Sequence, residues 1–226
     1  MNILITGAGR GIGYECVRQL AVNSNYNIIA MSRSIAALEA LALPNVHAIS
    51  ADITHAENMA SLVSTIVGRY GKIDVLINNA GLLVNKAFTD FSIDDARRIF
   101  EVNFFAPAQL IQALTPYIKP GGHVVNIGSM GGYQGSQKFP GLAYYSASKG
   151  SLAILTECLA EELKDNGIRV NCLALGSVQT EMLQEAFPGY QSPTTVEDMG
   201  HFIVDFALHS GKLFNGKVLP VSVTTP

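Results

Sequence analysis

Cysteine is scarce in this sequence, and the few cysteines form no recognisable pattern. Only Cys16, Cys158 and Cys172 occur in 226 residues, and they are widely spaced. No C-x-x-C pair and no metal-ligand spacing is present, which argues against a disulfide framework and against a metal site. We therefore expect buried, reduced thiols and a cytoplasmic protein that binds no metal.

Charge is scarce as well, and neither sign dominates. Charged residues make up 15% of the chain and the formal net charge is −3, which argues against nucleic acid and anionic membranes as partners. No apolar run reaches the roughly 18 residues of a membrane span. The first residues, MNILITGAGRG, lack the basic leader of a signal peptide. These absences leave a soluble α/β protein as the expectation.

Apolar residues are abundant, at 48%, and their pattern predicts a single domain over residues 1–226. Short runs rich in Val and Ile are typical of strands buried on both faces of a parallel sheet; they cover residues 2–6, 27–31, 46–50, 73–77, 123–127, 169–174 and 217–221. Amphipathic segments predict helices at residues 12–22, 34–41, 56–70, 94–117, 144–165 and 196–209, and Pro107 should kink or split the fourth. The alternation favours a Rossmann-like, doubly wound parallel sheet with helices on both faces.

A glycine-rich stretch, ITGAGRGIG, runs from the first strand into the first helix. Gly7, Gly11 and Gly13 allow a tight turn and close approach of a ligand. The helix that follows offers free N–H groups and a positive dipole end to a pyrophosphate. The spacing is G-x-x-x-G-x-G, so a plain strand-to-helix turn remains the alternative. The position after the first strand favours dinucleotide binding.

The end of the second strand indicates which dinucleotide is bound. NAD-preferring proteins usually place a carboxylate there, whereas this chain has Ser32 and Arg33. Arg33, together with Arg10 of the glycine turn, would pair with a 2′-phosphate, which favours NADP(H); the alternative is that both are solvated surface charges. Asp52, after the third strand, either accepts a hydrogen bond from the adenine amino group or caps the next helix.

The stretch YYSASKG at residues 144–150 places Lys149 one helical turn after Tyr145. Tyr144 is out of phase with Lys149. A neighbouring ammonium favours the phenolate, so we expect Lys149 to lower the pKa of Tyr145 and to make it a proton donor or acceptor. The alternative is a packed tyrosine beside an incidental lysine.

Six stretches together resemble the short-chain dehydrogenase/reductase family, of the compact single-domain type. They are TGAGRGIG (6–13), NNAG (78–81), Asn103 in EVNFF, Ser129 in NIGS, YSASK (145–149) and LGSVQT (175–180). The resemblance implies a catalytic set of Asn103, Ser129, Tyr145 and Lys149. Tyr145 would exchange a proton with the substrate oxygen, and Ser129 would hydrogen-bond that oxygen. Lys149 would bind the nicotinamide ribose, and Asn103 would hold a water for proton relay.

The resemblance also implies cofactor contacts along the chain. The predicted cofactor-binding residues are Gly7, Arg10, Gly11, Ile12, Gly13, Ser32, Arg33, Asp52, Ile53, Asn79, Gly81, Tyr145, Lys149, Val178 and Thr180. Three features depart from the family. Leu175 replaces the usual proline, residues 181–195 are short for a substrate lid, and the end of the chain lacks the usual glycine-rich tail. A long segment before Tyr145 supplies the predicted substrate contacts, Tyr133, Gln134 and Phe139, unless it is only a connecting loop.

The sequence thus predicts an NADP(H)-preferring oxidoreductase that interconverts a small carbonyl substrate and its alcohol. An NAD-dependent alcohol dehydrogenase of the same family and a non-catalytic NADP-binding regulatory protein are the alternatives. A homodimer or homotetramer is expected through the long helices at 94–117 and 144–165.

Overall fold

A computed structural model describes residues 1–223; residues 224–226 of the atypical C-terminal tail lie outside the described part. Its strands are β1 (Asn2–Thr6), β2 (Asn27–Ser32), β3 (Val46–Ser50), β4 (Ile73–Asn78), β5 (Ile118–Ile127), β6 (Arg169–Leu175) and β7 (Val218–Val221). Its α-helices are α1 (Gly11–Leu20), α2 (Ala36–Glu39), α3 (Ala56–Tyr70), α4 (Ile93–Phe100), α5 (Ala106–Leu114), α6 (Ala143–Glu162), α7 (Glu181–Ala186) and α8 (Val196–His209).

All seven strands pair in parallel in one sheet, in the order β3-β2-β1-β4-β5-β6-β7. The strand order reverses between β1 and β4. In such sheets, ligands bind in the crevice outside the carboxyl ends of the strands at this reversal. The Rossmann-like fold class is confirmed, and the sheet directs the glycine turn after β1 and the segment after β4 toward one crevice. The single-domain organisation stays a prediction.

The sheet is buried on both faces because successive side chains of each strand point to opposite sides. Ile3 and Ile5 of β1 pack in the apolar layer that includes α1 and α8. Leu4, between them, packs in the opposite layer with α3 and α5. All three are fully buried, so the strand ends that carry the crevice are held by packing on both faces. Within residues 1–223, no helix combines the length and apolar character needed to cross a membrane.

The predicted helix at residues 94–117 is not one regular helix. The chain passes from α4 through a π-helical segment, Glu101–Phe105, into α5. Pro107 lies in the first turn of α5, where its missing N–H is tolerated. The expected interruption is confirmed, and its form is a π-helical turn that includes Asn103. Such turns occur frequently at functional sites.

Other element boundaries differ more from the prediction. β5 begins at Ile118 rather than at residue 123, and α2 has only four residues. The short helix α7 was not predicted. The expectation of buried thiols is wrong for Cys158, which is exposed on α6, whereas Cys16 and Cys172 are buried.

Candidate active site

One cavity of about 980 Å³ lies at the carboxyl edge of the sheet, at the upper end of the usual range for ligand pockets. Most of the predicted site residues line it: Gly7, Arg10, Gly11, Ile12, Ser32, Arg33, Asp52, Ile53, Asn79, Gly81, Ser129, Phe139, Tyr145, Lys149, Val178 and Thr180. Its wall does not include Gly13, Asn103, Tyr133 or Gln134. The first two of these support the wall from behind, as described below.

The glycine turn has the shape of an anion cradle. Gly7 and Gly11 have φ values of 65° and 55°. In this region the backbone of a residue that carries a Cβ is strained. A Cβ on Gly13 would lie 2.3 Å from the carbonyl oxygen of Gly7 and 2.4 Å from Nδ2 of Asn79. No larger residue fits there without moving the turn. Glycine therefore brings the turn onto the start of α1, where free N–H groups favour phosphate.

Asn79 ties this turn to the neighbouring strand. Its Nδ2 donates hydrogen bonds of 3.1 Å to the carbonyl oxygens of Thr6 and Gly7. The Thr6 hydroxyl in turn accepts bonds of 3.1 Å from the backbone N–H groups of Asn79 and Ala80. The carboxyl ends of β1 and β4 are thus locked together around the cradle.

The expected phosphate-binding arginines differ in their surroundings. Arg33 is exposed at the end of β2 and lines the cavity. Arg10 donates a 2.7 Å hydrogen bond to Glu185 of α7. That bond, opposed by desolvation, raises the pKa of the Arg10 guanidinium. Glu185 was missed in the sequence because nothing local connects it to residue 10.

Asp52 is held in a local turn. Its Oδ1 accepts hydrogen bonds from the backbone N–H of Thr54 at 3.0 Å and from the Thr54 hydroxyl at 2.7 Å. Burial raises the pKa of this carboxyl, but the two Thr54 bonds help to bring the pKa below its ordinary value. The helix that follows has His55 at its N-cap position, without a side-chain cap. The capping alternative for Asp52 is therefore wrong, and its carboxyl lines the cavity.

The two adjacent tyrosines of α6 have different surroundings. Tyr144 packs against aromatic rings, with centroids 5.7 Å from Phe88 and 5.1 Å from Phe91. Tyr145 lines the cavity together with Ser129. Ser129 ends the turn after β5, and its Oγ accepts a 3.1 Å bond from the backbone N–H of Gly131. The structure thus separates a packing tyrosine from a cavity tyrosine, as the helical phase predicts.

The pKa of Tyr145 is shifted in the direction opposite to the one expected from the sequence. Burial raises the pKa of its phenol above the ordinary value, and a hydrogen bond with the Ser129 side chain only partly offsets this. The sequence-based expectation was a pKa lowered by Lys149. The direction is opposite because desolvation disfavours the phenolate. The phenol is therefore protonated at neutral pH.

Lys149 is buried and anchored to the sheet. Its Nζ donates a 2.7 Å hydrogen bond to the carbonyl oxygen of Ile127, the last residue of β5. Desolvation lowers the pKa of this ammonium to about 8. A Cβ on Gly81 would lie 3.5 Å from Nζ of Lys149 and 3.6 Å from Oδ1 of Asn103. Because Gly81 has no side chain, the Lys149 ammonium and the Asn103 amide oxygen can both lie close to the backbone of the segment after β4.

Asn103 is fully buried in the π-helical turn. Its Nδ2 donates to the carbonyl oxygen of Leu82 at 2.9 Å and to Oγ of Ser148 at 3.0 Å. Its Oδ1 accepts a 2.8 Å bond from the N–H of Leu82. The Ser148 hydroxyl in turn donates a 2.7 Å hydrogen bond to the carbonyl oxygen of Tyr145. The Asn103 side chain therefore connects the chain after β4 to the turn of α6 that carries Tyr145.

Residues 181–195, which we call the lid, follow β6 and contribute five residues to the cavity wall: Glu181, Met182, Leu183, Phe187 and Tyr190. Thr180 caps α7 by accepting a bond from the N–H of Leu183. Asn85, in the segment after β4, donates a 2.9 Å bond to the carbonyl oxygen of Ala186. Together with the Arg10–Glu185 bond, this contact holds the lid across the cleft. The short segment thus lines the cavity and is bonded to the glycine turn and to the segment after β4; its adequacy as a substrate lid stays a prediction.

The segment between β5 and α6 contributes fewer cavity contacts than expected. Phe139 lines the cavity, whereas Tyr133 and Gln134 are outside its wall. The backbone carbonyl of Tyr133 accepts hydrogen bonds from Lys138 and Ser136, which fold the segment onto itself. Met130 and Leu142 line the cavity instead; no local signal distinguished them in the sequence.

Comparison with known proteins gives one consistent result. A family profile described as short chain dehydrogenase matches residues 1–191. An L-fucose dehydrogenase from Bos taurus is 32% identical over 197 residues, which cover 85% of this chain and 71% of that protein.

Two solved structures have the same fold. One is a 3-ketoacyl-(acyl-carrier-protein) reductase from Brucella melitensis complexed with NADH, with 25% identity, a TM-score of 0.86 and coverage of 97% of this chain and 96% of that chain. The other is a short chain dehydrogenase from Burkholderia cenocepacia in complex with NADP, with 26% identity, a TM-score of 0.84 and coverage of 97% and 95%. The resemblance found in the sequence is confirmed: the chain belongs to the short-chain dehydrogenase family of oxidoreductases.

Proposed function

We propose that this protein interconverts a carbonyl compound and its alcohol with NADP(H) as the preferred cofactor and Tyr145 as the general acid and base. One observation carries the proposal: Tyr145, Ser129 and Lys149 line the same cavity as the glycine turn. A dinucleotide in the cradle and a substrate beside Tyr145 would therefore share one crevice. Mutual placement of this kind is what hydride transfer requires from a protein.

The proposed proton transfer depends on the protonation state of the Tyr145 phenol. The cofactor, when bound, supplies or accepts the hydride. In reduction, the neutral Tyr145 phenol donates its proton to the substrate oxygen. The Ser129 hydroxyl donates a hydrogen bond to the same oxygen and stabilises the charge that develops on it. In oxidation, the ionised phenolate form of Tyr145 would take the proton of the alcohol.

Lys149 and Asn103 support this step in different ways. The Lys149 ammonium is held at the end of β5 by Ile127, where it would bind the ribose hydroxyls next to the nicotinamide. Asn103 acts as a positioning residue through Leu82 and Ser148. Its role in a water-mediated proton relay stays a prediction.

The preference for NADP(H) rests on the end of β2. Arg33 lines the cavity there, and Ser32 and Arg33 occupy the place where an NAD-preferring chain usually has a carboxylate. The adenosine 2′-phosphate would pair with Arg33 and, after exchange from Glu185, with Arg10. NAD(H) is the second candidate, since the Arg10–Glu185 pair reduces the positive charge that Arg10 offers. One neighbouring structure is complexed with NADH.

Fluorescence titration of the protein with NADPH and NADH tests the cofactor assignment. We expect tighter binding of NADPH, and loss of that preference in Arg33→Ala. Equal affinities, or an unchanged preference in the variant, would overturn it. Consumption of bound NADPH with a panel of aldehydes and ketones tests catalysis, and tight cofactor binding without turnover would support the regulatory alternative.

Two further expectations belong to the same proposal. A homodimer or homotetramer would form through α4, α5 and α6, and sedimentation measurements test this. A cytoplasmic setting is supported by the three free cysteines.

A further inference from the structure

The half of the cavity built after β5 and β6 has a wall of large apolar side chains beside Ser129 and Tyr145. We call it the substrate half; it comprises the cavity-lining residues between 129 and 149 and between 175 and 190. Its apolar wall is formed by Met130, Phe139, Leu142, Met182, Leu183 and Phe187. Three of these belong to the lid, so a bound substrate would be covered by apolar side chains as well as seated on them.

Most of the charged residues that line the cavity lie in its other half. Arg10, Arg33 and Asp52 follow β1, β2 and β3, and the charged residues of α4 and of the adjoining turn follow β4. Arg10, Arg33 and Asp52 lie around the cradle and the end of β2, where the cofactor is expected. The charged residues of α4 lie on a helix that packs against α6.

Two charged side chains line the substrate half among the described residues, and neither offers a counter-ion for a substrate charge. The Lys149 ammonium is bound to Ile127 and serves the proposed chemistry. Glu181 turns toward the cradle, with its Oε2 3.5 Å from the position of a Cβ on Gly11. Lys138, the neighbour of Phe139 in sequence, donates its hydrogen bonds within its own segment.

The hydroxyl groups of the lid side are engaged with one another. Ser177 Oγ lies 3.3 Å from the Tyr190 hydroxyl and 3.1 Å from Oγ of Ser192. Ser192 also donates a 2.9 Å bond to the carbonyl oxygen of Ser177. A sugar, which needs many polar partners, would have to break this set of bonds.

We propose that the substrate is an uncharged, predominantly hydrophobic aldehyde or ketone, or the corresponding alcohol. This inference rests on the function proposed above. In reduction, the carbonyl carbon gains a hydride from NADPH and the oxygen gains the proton of Tyr145, leaving NADP⁺ and an alcohol; Tyr145 regains a proton from solvent. A carboxylate, phosphate or polyol group in this half would lose its hydration without gaining a partner.

A pair of near-isosteric aldehydes tests the substrate class. Para-isopropylbenzaldehyde and para-carboxybenzaldehyde differ mainly in charge, and D-glyceraldehyde represents polyols. With NADPH, we expect kcat/KM for the isopropyl compound to exceed that for the carboxylate by about 100-fold, since a buried unpaired charge is strongly rejected. Equal values, or faster turnover of the carboxylate or of glyceraldehyde, would overturn the inference.

A positive charge introduced into the apolar wall of the substrate half tests whether the substrate binds there. Phe187→Arg should raise kcat/KM for the carboxylate relative to the isopropyl compound by about 10-fold or more, because the guanidinium supplies the missing partner. Gln184→Arg is the matched control: Gln184 is exposed on α7, which ends just before Phe187, and is not part of the cavity wall. The substrate preference of this variant should equal that of the wild type. Leu183→Arg replaces Phe187→Arg if the latter does not fold. A shift in the control as large as in the wall variant would contradict the assignment.

Ligand binding separates this inference from the proposed function. Thermal unfolding of the NADPH-bound protein is measured with each aldehyde. Stabilisation by the isopropyl compound alone, without NADPH consumption for any aldehyde, would support the substrate class and overturn the proposed catalysis. NADPH consumption without discrimination between the aldehydes would support catalysis and overturn the class. Neither binding nor consumption of the isopropyl compound would count against both.

Discussion

The Nζ atom of Lys149 lies 2.7 Å from the backbone carbonyl oxygen of Ile127. This bond links the first half of α6 to the carboxyl end of β5, so that the helix bearing Tyr145 and the strand leading to Ser129 are held together at the candidate site. The ammonium is almost fully buried, with 4% of the residue exposed. The Lys149 ammonium has lost its hydration and gained one hydrogen bond. Because this desolvation disfavours the charged form, the pKa of Lys149 falls to about 8.

The lowered pKa of Lys149 predicts a specific dependence of stability on pH. Below about pH 8 the folded protein carries a buried ammonium that the unfolded chain hydrates, and this cost disappears as pH rises toward 10.5, the ordinary pKa. In that window the unfolded state binds more protons, so the free energy of unfolding should rise with pH. Urea unfolding of wild type and Lys149→Met on both sides of the window measures the difference. A wild-type stability that stays constant relative to the variant would contradict the assignment.

Tyr145→Phe should lower kcat by about 10²–10⁴-fold, the usual contribution of a general acid or base, while NADPH still binds. Tyr144→Phe is the matched control, because Tyr144 contacts Phe88 and Phe91 through its ring, which the substitution retains. Its turnover should remain near the wild-type value. Steady-state kinetics and a cofactor titration of both variants measure these effects. Turnover retained in Tyr145→Phe, or lost equally in both variants, would argue against the proton-transfer role.

Glu185→Gln should increase affinity for NADPH by about 2- to 5-fold. The carboxylate binds the guanidinium of Arg10 at 2.7 Å, and a cofactor phosphate must compete with it. Exposed ion pairs contribute little to stability, so the gain in affinity is small. Affinity for NADH should change less, since it lacks the 2′-phosphate.

Glu162→Gln is a suitable control for that experiment, because it makes the same charge change at the exposed end of α6. Fluorescence titrations at several salt concentrations measure all three proteins. An identical gain in both variants would show a general effect of net charge and not release of Arg10.

Asn103→Ala should destabilise the fold by about 1–3 kcal/mol, because it leaves the N–H and the carbonyl oxygen of Leu82 without their side-chain partners. Asn58→Ala, at an exposed position near the start of α3, should change the free energy of unfolding by less than about 0.5 kcal/mol. Chemical denaturation measures both. Equal stability of the two variants would mean that the buried contacts of Asn103 are dispensable.

Patterns within short stretches predicted a large part of the fold. The strands appear where apolar runs rich in Val and Ile occur, since two-sided burial selects such residues. α3 spans residues 56–70 as predicted. α7 was missed because six residues give too little periodicity for a helix, and its position depends on contacts with Arg10 and Asn85.

The candidate site likewise has features that local sequence patterns predict and features that only the folded structure shows. The phase of α6 distinguished Tyr145 from Tyr144 because residues four apart share a helical face. Only the tertiary structure showed that Lys149 binds Ile127 and that burial raises the pKa of Tyr145. Desolvation depends on all surrounding segments, and no local spacing reports it.

By itself, the sequence determined the family, the parallel α/β sheet, the glycine cradle and the identity of the tyrosine–lysine pair, because each depends on residue types at fixed local spacing. The tertiary structure decided the partner of Arg10, the contacts of residues 181–195, the apolar cavity wall after β5 and β6 and the direction of the pKa shifts. These properties arise where segments distant in the chain meet, and burial and pairing there are set by the packed fold.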